Sequence, residues 1–302
     1  GVFKENVFFN NSKFNDYVNF QTCDFEKTVS FYGVRFDKTP NFSQVIFKDS
    51  INLINVKTNF DFENLKTTIE SMDKPKNETA NDFRDSFRNF KSALIKDNNL
   101  LDASNFHKYE LYCKEIELEN KKDKTLKDKI DKWQLFFYHK LCDHHTDILQ
   151  SLNSLILVIG IFVLSSVVMV FGFNYSLGYK PILEHWYFSL DFYNHHINSI
   201  IQDNYLFVVK VNFAMLFSYL ILVGFALCLK CIRGFFIIIS YAITLSVLVV
   251  SPKILIPAMG FFTDKRAILD PLSAIGGIYT IVFGFVVFSF IKTIRKNSIV
   301  PS

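Results

Sequence analysis

Apolar residues return at alternating steps of five and six along the first 57 residues of the chain. Five blocks of eleven residues follow one another from Phe3 to Lys57: FKENVFFNNSK, FNDYVNFQTCD, FEKTVSFYGVR, FDKTPNFSQVI and FKDSINLINVK. An α-helix requires apolar returns at three and four, and a flat β-strand requires continuous alternation, so neither explains this pattern. A two-residue strand with inward side chains, followed by a turn, does explain it.

Stacking such turns predicts a narrow β-solenoid over residues 1–60. Its coils would lie about 4.8 Å apart, each hydrogen-bonded to the next, with polar residues facing water. Because an array of repeats requires capped ends, we expect a helix after Thr58 to cover the last coil. The residues expected to form ladders in the core are Phe14, Phe20, Phe25, Phe31, Phe36, Phe42 and Phe47.

The repeat resembles the Phe-rich branch of the pentapeptide-repeat family, in which pentads alternate with hexads. This resemblance implies a right-handed solenoid in which four units make one coil, so that two blocks of eleven complete a coil. The later stretches FKSALIKDNNLLDASNFHKYELYCKEIELE and DHHTDILQSLNSLI resemble the connector of bacterial membrane proteins that carry such repeats. The resemblance therefore implies a bacterial membrane location, but it implies no particular activity.

Beyond Phe62 the apolar spacing becomes helical, which predicts a helical connector over residues 61–151. One helix is indicated by Phe83, Phe87, Phe90 and Leu94, with Asn81 or Asp82 as its N-cap and Asn98-Asn99 as its end. A second helix is expected from about Asp102 to Glu119. A third is expected to run from about Thr125 towards the membrane.

The second half of the chain contains four long apolar stretches. Each is long enough to cross a hydrocarbon layer of about 30 Å. They are Leu155–Phe173, Leu206–Leu229, Gly234–Val250 and Leu272–Ile291. We therefore expect a transmembrane domain over 152–294 and a tail over 295–302, which gives a mixed fold: a short β-solenoid, a helical connector and a four-helix transmembrane domain. Residues 251–262, SPKILIPAMGFF, are too short to cross and are expected at the interface or in a re-entrant segment.

The distribution of basic residues predicts the orientation. The chain carries 33 Lys and Arg against 29 Asp and Glu, and six of its lysines fall within residues 121–132. These lysines lie on the same side of the four predicted spans as Lys230, Arg233, Lys292, Arg295 and Lys296. The positive-inside rule then places both termini and the solenoid in the cytoplasm of a multi-pass protein of the bacterial inner (plasma) membrane. The lysine run suits anionic lipid headgroups, so we expect the lipid bilayer as a partner and no nucleic acid.

One face of the last predicted span carries a stripe of small residues. The stripe consists of Ser273, Gly277, Thr280 and Gly284, at positions i, i+4, i+7 and i+11. Small residues let helices approach closely, so this face predicts packing within the bundle or between subunits, and we expect a homo-oligomer. A pore lining is the alternative interpretation.

Candidate chemistry is concentrated in the stretch HKLCDHHTD. His139, Cys142 and Asp143 stand at i, i+3 and i+4, so on one helix they would share a face as metal ligands. The other interpretation is a polar stretch at the level of the lipid headgroups. A looser cluster comprises Glu184, His185, His195 and His196.

Motifs of enzymes are missing from the sequence. The chain has no glycine-rich phosphate loop, HExxH, GxSxG or kinase signature, so we expect no cofactor and no enzymatic activity. Its five cysteines are scattered and odd in number, which does not suggest a disulfide framework.

The leading hypothesis is a non-enzymatic inner-membrane protein. Its cytoplasmic solenoid and connector would bind an unidentified protein partner or serve in assembly, on a membrane domain that oligomerises. The alternative is a channel or pore-forming effector gated by the cytoplasmic domain. A third hypothesis is a metal-dependent activity at His139, Cys142 and Asp143.

Overall fold

The chain divides into two compact units, an N-terminal unit, Gly1–His139, and a C-terminal unit, Lys140–Ser302. The structure is a computed structural model, and it describes residues 1–58, 60–176, 205–250 and 271–297. The N-terminal unit begins with short strands and continues with helices, whereas the C-terminal unit is helical in its described parts.

Two-residue strands make up the stacked-strand region, residues 2–58. They are β1 (Val2–Phe3), β2 (Val7–Phe8), β3 (Lys13–Phe14), β4 (Asp24–Phe25), β5 (Val29–Ser30), β6 (Arg35–Phe36), β7 (Ile46–Phe47), β8 (Ile51–Asn52) and β9 (Lys57–Thr58). They form three parallel sheets with the orders β1-β4-β7, β2-β5-β8 and β3-β6-β9. Every pairing joins residues 22 positions apart, as Phe3 pairs with Phe25 and Phe25 with Phe47. The predicted short strands are therefore confirmed, and two blocks of eleven separate each strand from its neighbour.

A fourth side of each turn is marked by an isolated parallel bridge between Asn19 and Asn41, which has the same offset of 22. Ion pairs on the outer surface repeat this offset. They join Glu5 to Lys27 at 2.5 Å, Asp16 to Lys38 at 2.6 Å and Glu26 to Lys48 at 3.1 Å. Because these side chains are exposed, the pairs reflect the register of the stack more than they stabilise it.

Phenylalanine rings fill the interior of the stack. Ring centroids lie 4.7 Å apart for Phe3 and Phe25, and the rings are nearly parallel. Equivalent stacked pairs are Phe9–Phe31, Phe14–Phe36, Phe20–Phe42 and Phe25–Phe47, at 4.7 to 5.5 Å. Of the expected core residues, five are buried, and Phe14 and Phe47 are half-buried. Burying a Phe contributes about 1.5–3 kcal/mol, and a stacked pair adds about 0.5–1.5 kcal/mol.

Residues with left-handed backbone recur every eleven positions at the corners of the stack. They are Asn11, Thr22, Gly33, Gln44 and Asn55, with φ between 56° and 66°. Glycine and asparagine tolerate this conformation, whereas other residues are strained in it. The backbone strain is therefore greatest at the two corners formed by Thr22 and Gln44.

Four helices follow the strands: α1 (Phe62–Glu70), α2 (Lys76–Lys96), α3 (Leu100–Asn120) and α4 (Leu126–Cys142). The Asp61 side chain accepts a hydrogen bond from the backbone N–H of Asn64 and so caps α1. Asn99 caps α3 in the same way, and Asn98 ends α2 with a left-handed backbone. The predicted N-cap of α2 at Asn81 or Asp82 is wrong, because the helix already begins after Pro75.

The helix that covers the last strands is α2. Its buried side chains are mainly Phe83, Phe87, Phe90 and Leu94. The centroid of the Phe90 ring lies 4.6 Å from that of Phe42, at a tilt of 59°, so Phe90 covers the end of the Phe20–Phe42 stack. Helix α2 in turn packs along α3, and one hydrophobic core therefore continues from the strands into the helices.

The described helices of the C-terminal unit are α5 (Ile148–Ser176), α6 (Tyr205–Cys228), α7 (Lys230–Val250) and α8 (Pro271–Asn297). Within the described ranges, three stretches are long and apolar enough to cross a membrane: Ile148–Val168, Tyr205–Cys228 and Ala274–Lys296. The predicted third span coincides with α7, but its apolar stretch, Arg233–Val249, is shorter. Four membrane-crossing helices are therefore not confirmed. Residues 251–262 and the Glu184, His185, His195 and His196 cluster lie outside the described residues.

Helix α5 contacts each of the other three helices of this unit. A side chain on Gly160 would collide with the backbone of Ser240, so α5 and α7 approach closely at this glycine. The rings of Phe162 on α5 and Tyr279 on α8 stack with their centroids 3.9 Å apart. A glycine thus allows α7 to approach α5, and a pair of stacked aromatic rings joins α8 to α5.

Candidate functional site

The three residues predicted to bind a metal lie at the end of α4 and just beyond it. Cys142 is the last residue of the helix, and Asp143 follows in a turn with φ 49°. The helical spacing that grouped Asp143 with His139 and Cys142 therefore does not extend to Asp143. Its carboxylate accepts a hydrogen bond from the Thr146 hydroxyl at 3.2 Å. Metal binding by these three residues remains a prediction.

Half-buried His139 pairs with a buried carboxylate in the N-terminal unit. Its Nδ1 lies 3.1 Å from a carboxylate oxygen of Glu115, a buried residue of α3. The ring packs against Phe62 and Tyr112, with centroids 4.7 Å and 5.1 Å away. A buried carboxylate requires a hydrogen-bonding partner, which the imidazole provides, and the carboxylate in turn orients the imidazole. Sequence spacing missed Glu115, because it stands on another helix.

The turn between α4 and α5 has an unusual backbone. Asp143, His144 and His145 have φ values of 49°, 54° and 66° in succession. Each left-handed residue other than glycine costs about 1–2 kcal/mol. Local hydrogen bonds offset part of this cost: the N–H groups of Thr146 and Asp147 donate to the Cys142 carbonyl at 3.2 and 3.3 Å. The Asp147 side chain then caps α5 by accepting from Gln150 N–H at 2.8 Å.

This turn directs His145 into a buried group that we call the Cys142–His145 cluster, consisting of Cys142, His145, Ser289 and Thr293. His145 Nδ1 lies 3.1 Å from Thr293 Oγ1 and 3.4 Å from Cys142 Sγ. Ser289 Oγ lies 3.3 Å from the same sulfur. Two hydroxyl groups of α8 and one thiol thus surround the imidazole.

Burial controls the charge of this cluster. Burial, together with the positive charges of Lys292 and Lys296, lowers the pKa of His145 to about 4. Burial also raises the pKa of the Cys142 thiol, against the opposing hydrogen bond from Ser289. Both groups are therefore neutral near pH 7. A nucleophilic cysteine requires a thiolate next to a base or an imidazolium, so this pair is suited to hydrogen bonding and not to nucleophilic catalysis.

A second polar network, around Arg233 of α7, lies beside the end of α4. The guanidinium donates to the Lys140 carbonyl at 3.2 Å and to Ser154 Oγ at 3.1 Å. Gln150 Nε2 donates to the same carbonyl at 3.0 Å, and Ser154 Oγ donates to the Leu141 carbonyl at 2.8 Å. The last carbonyls of a helix have no partner within it. These side chains supply the partners and join α5 and α7 to the end of α4.

The small-residue stripe of α8 faces away from the other described helices. The buried face of α8 carries Ile275, Tyr279, Val286 and Ser289. Apart from the adjacent residues and the local backbone of α8, no described atom lies within 4 Å of where a side chain on Gly277 or Gly284 would begin. Thr280 donates to the Gly276 carbonyl of its own helix, and the side chain of Ser273 lies outside the described part. Among the described residues, Gly277 and Gly284 of the stripe are thus uncovered.

Exposed apolar side chains lie around the β2-β5-β8 sheet and the corner that follows it. They are Phe8, Tyr32 and Ile54, and Phe8 is the most exposed at 64%. Phe8 pairs with Ser30, and Gly33 N–H donates to the Ile54 carbonyl at 3.0 Å, which places Tyr32 and Ile54 on neighbouring turns. We call these three residues the aromatic corner.

Comparison with protein-family models, curated proteins and solved structures finds no match to this chain. Its function is therefore inferred from the geometry of the two units. Three features are relevant to that inference: the aromatic corner, the open stripe of α8 and the neutral Cys142–His145 cluster.

Proposed function

We propose that this chain is a non-enzymatic, multi-pass protein of the bacterial inner membrane, and that its cytoplasmic part is a platform for protein binding or assembly. The platform would be a right-handed β-solenoid of the pentapeptide-repeat type with its helical connector. The observation that carries the proposal is the presence, in one chain, of three helices able to cross a membrane and a stacked-strand region with an exposed aromatic corner.

A platform must hold its contact residues in fixed positions before the partner arrives, because ordering them on binding weakens affinity. The stacked Phe rings and the covering helix α2 meet this requirement. Exposed aromatic residues surrounded by polar ones are typical of protein contact surfaces. Phe8, Tyr32 and Ile54 therefore form the surface where we expect a partner.

Four passes through the membrane, with α7 as the third, are supported by the positions of basic residues. Arg233, near the start of α7, bonds to Lys140 and to Ser154 of α5. Lys296, near the end of α8, lies 3.5 Å from the His144 carbonyl. The beginnings of α5 and α7 and the end of α8 therefore lie together. This arrangement fits two outward and two return passes, with the basic residues on the cytoplasmic side.

Assembly into a homo-oligomer is supported by the open stripe on α8. Helices in a lipid environment associate where small residues let their backbones approach. Gly277 and Gly284 leave such a surface that no described part of the same chain covers. A second copy of α8 is the occupant that we propose for it.

The experiment is purification of the intact protein from its native membrane in mild detergent, followed by identification of copurifying proteins. A Phe8→Ser/Tyr32→Ser double variant should lose the partner. An Ile46→Ser variant, exposed on a different sheet, should retain it. The proposal fails if wild-type protein is strictly monomeric and retains no stoichiometric partner.

A channel gated by the cytoplasmic domain is the second candidate. It is favoured by polar groups in the C-terminal unit that are buried and lack a hydrogen-bond partner among the described residues: the hydroxyls of Ser151, Ser166, Tyr219, Ser240 and Thr244. Polar groups inside a membrane domain are costly and often mark a solute path. Planar-bilayer recording separates the candidates, because unitary ohmic currents would favour the channel and a silent bilayer the platform.

A further inference from the structure

Helix α4 presents an apolar stripe that no described part of the chain covers. Leu126, Ile130 and Trp133 are 78%, 65% and 71% exposed. They stand at i, i+4 and i+7, so they project within about 60° of one another on the helix. Three large apolar side chains on one exposed helical face are costly in water, and an occupant for this face is therefore expected.

The charges of α4 are ordered around this stripe. At about 100° of rotation per residue, Lys127 and Lys129 flank the stripe on its two sides, and Asp128 and Asp131 fall on the opposite face. The acidic side is already engaged, because Asp128 accepts hydrogen bonds from Lys121 at 2.7 Å and from Thr125 N–H at 2.9 Å.

The lysines beside the stripe are, in contrast, available. Within the described ranges, no acidic group forms an ion pair with Lys122, Lys127, Lys129 or Lys132. An apolar stripe with lysines along both edges is the arrangement of a helix that lies in a membrane interface. Tryptophan, with an apolar body and a polar N–H, is enriched at the same depth.

We infer that residues 122–133, which comprise the first part of α4 and the short segment before it, bind the surface of a bilayer that carries anionic headgroups. Leu126, Ile130 and Trp133 enter the interface, and the four lysines pair with lipid phosphates. The inference rests on the proposed membrane location. It goes beyond that location because it assigns a lipid-binding face to a helix that does not itself cross the membrane.

Chain connectivity favours a bilayer as the occupant. Helix α4 ends at Cys142, and α5, which is long and apolar enough to cross a membrane, begins at Ile148. The five residues between them extend over at most about 18 Å. A membrane that holds α5 is therefore always near the C-terminal end of α4. Each lysine close to an anionic surface strengthens binding by about five-fold, so four act together as a strong anchor.

The test uses the full chain with Trp186→Phe, which leaves Trp133 as the single tryptophan. The protein is reconstituted into vesicles of phosphatidylcholine alone and of phosphatidylcholine with phosphatidylglycerol, each with and without a lipid brominated near its headgroup. We expect a blue shift and bromine quenching of Trp133 emission in the anionic vesicles. Both should weaken when salt is raised, because the lysines are then screened.

Changing Lys122, Lys127, Lys129 and Lys132 to Gln should abolish the difference between the two lipids. The matched control changes Lys4, Lys27, Lys38 and Lys48, four exposed lysines of the stacked-strand region, to Gln and should preserve it. Emission and quenching that are equal in both lipids, or a blue shift that depends only on protein concentration, would overturn the inference.

Alkaline extraction of the same vesicles distinguishes failure of the inference from failure of the proposed function. Protein that resists extraction while Trp133 remains unquenched is membrane-spanning but does not bind lipid through α4. Protein that is extracted entirely contradicts the membrane location, and with it the inference.

Discussion

The backbone N–H of Phe42 donates a hydrogen bond to the side-chain hydroxyl of Ser86, at 2.7 Å. One turn earlier in the stack, the equivalent N–H of Phe20 donates to the backbone carbonyl of Asn41 at 2.8 Å. In Phe42, a side chain of α2 therefore replaces the backbone carbonyl as acceptor. The same is true two residues later, where Gln44 N–H donates to the Asp85 carboxylate and not to a carbonyl of another turn. Helix α2 thus supplies, from two consecutive side chains, the acceptors that a further turn of strands would have supplied.

Ser86→Ala should therefore loosen the end of the stack. A buried N–H left without an acceptor costs about 1–3 kcal/mol. We expect faster amide hydrogen exchange over residues 40–45, measured by mass spectrometry, and unchanged exchange over 18–23. Asp85→Asn retains an acceptor oxygen and should change exchange little, whereas uniform acceleration in both segments would contradict the local role of Ser86.

The corners of the stack allow a stabilising substitution. Thr22 and Gln44 are exposed and left-handed, at φ 57° each. Glycine relieves about 1–2 kcal/mol of strain and loses about 0.5–1 kcal/mol through greater freedom of the unfolded chain. Thr22→Gly and Gln44→Gly should each raise the melting temperature of the N-terminal unit, measured by circular dichroism.

Two controls accompany these substitutions. Ser50→Gly, at an exposed position without left-handed backbone, should lower the melting temperature slightly. Gly33→Ala should lower the melting temperature more, because the alanine would keep a left-handed backbone and its methyl group would collide with the Asn11 side chain. A decrease for both Thr22→Gly and Gln44→Gly would show that the corners are not strained.

An acidic group between α2 and α3 should make stability depend on pH. Burial alone would raise the pKa of Glu110, but hydrogen bonds from His107, Lys91 and Arg88 lower it to about 2. The folded pKa is below the ordinary value of about 4.3, so the stabilisation is complete above that value and is lost as pH falls towards 2. After allowance for solvent screening, the loss is about 1–2 kcal/mol.

The measurement is the denaturation midpoint of the N-terminal unit between neutral pH and pH about 3, a range that brackets the unfolded pKa. Glu110→Gln should reduce stability at neutral pH and flatten its decline in acid. Glu119→Gln removes an exposed carboxylate that pairs with Lys66 at 3.5 Å, and it should leave the wild-type decline nearly unchanged. Equal slopes for wild type and Glu110→Gln would contradict the assignment.

The stacked strands could be predicted because their signal is local. A Phe every five or six residues specifies both the inward side chain and the turn that follows it, and no distant contact is needed. The repeat requires a helix after Thr58 but does not give the bounds of α1, because the buried residues of that helix, Leu65 and Ile69, are too few to reveal a period. The early start of α2 was missed because its first residues are polar and Pro75 resembles a loop residue.

The Cys142–His145 cluster could not be predicted. Ser289 and Thr293 stand nearly 150 positions from His145, and no local pattern connects them. The left-handed turn that directs His145 inward contains no glycine that would reveal it. Glu115 was missed for a related reason, because a carboxylate on a helix is normally exposed and becomes recognisable as a partner only once His139 is beside it.

Cysteine reactivity offers a test of this cluster and of the metal hypothesis together. Cys142 is buried with a raised pKa, whereas Cys23 is half-buried. Because the thiolate is the reactive form, iodoacetamide should modify Cys23 well before Cys142 at neutral pH, as measured by peptide mass spectrometry. Adding a chelator should leave the rate at Cys142 unchanged. A large increase on chelation would instead favour a metal bound by that thiol.

The open stripe on α8 leads to a prediction about assembly. Gly277→Leu adds a bulky side chain where no described atom of the same chain is near, so each copy should fold normally. Two copies of α8 should no longer approach, because close packing of helices in lipid requires small residues. We expect native mass spectrometry in detergent to show oligomers for wild type and monomers for the variant. The control Ile281→Leu replaces an exposed side chain with one of similar size, and this variant should remain oligomeric.

Gly160→Leu distinguishes loss of assembly from loss of folding, because the new side chain would collide with the backbone of Ser240 and should unfold the C-terminal unit itself. Oligomers that persist in Gly277→Leu would place the subunit contact on another face of the membrane domain.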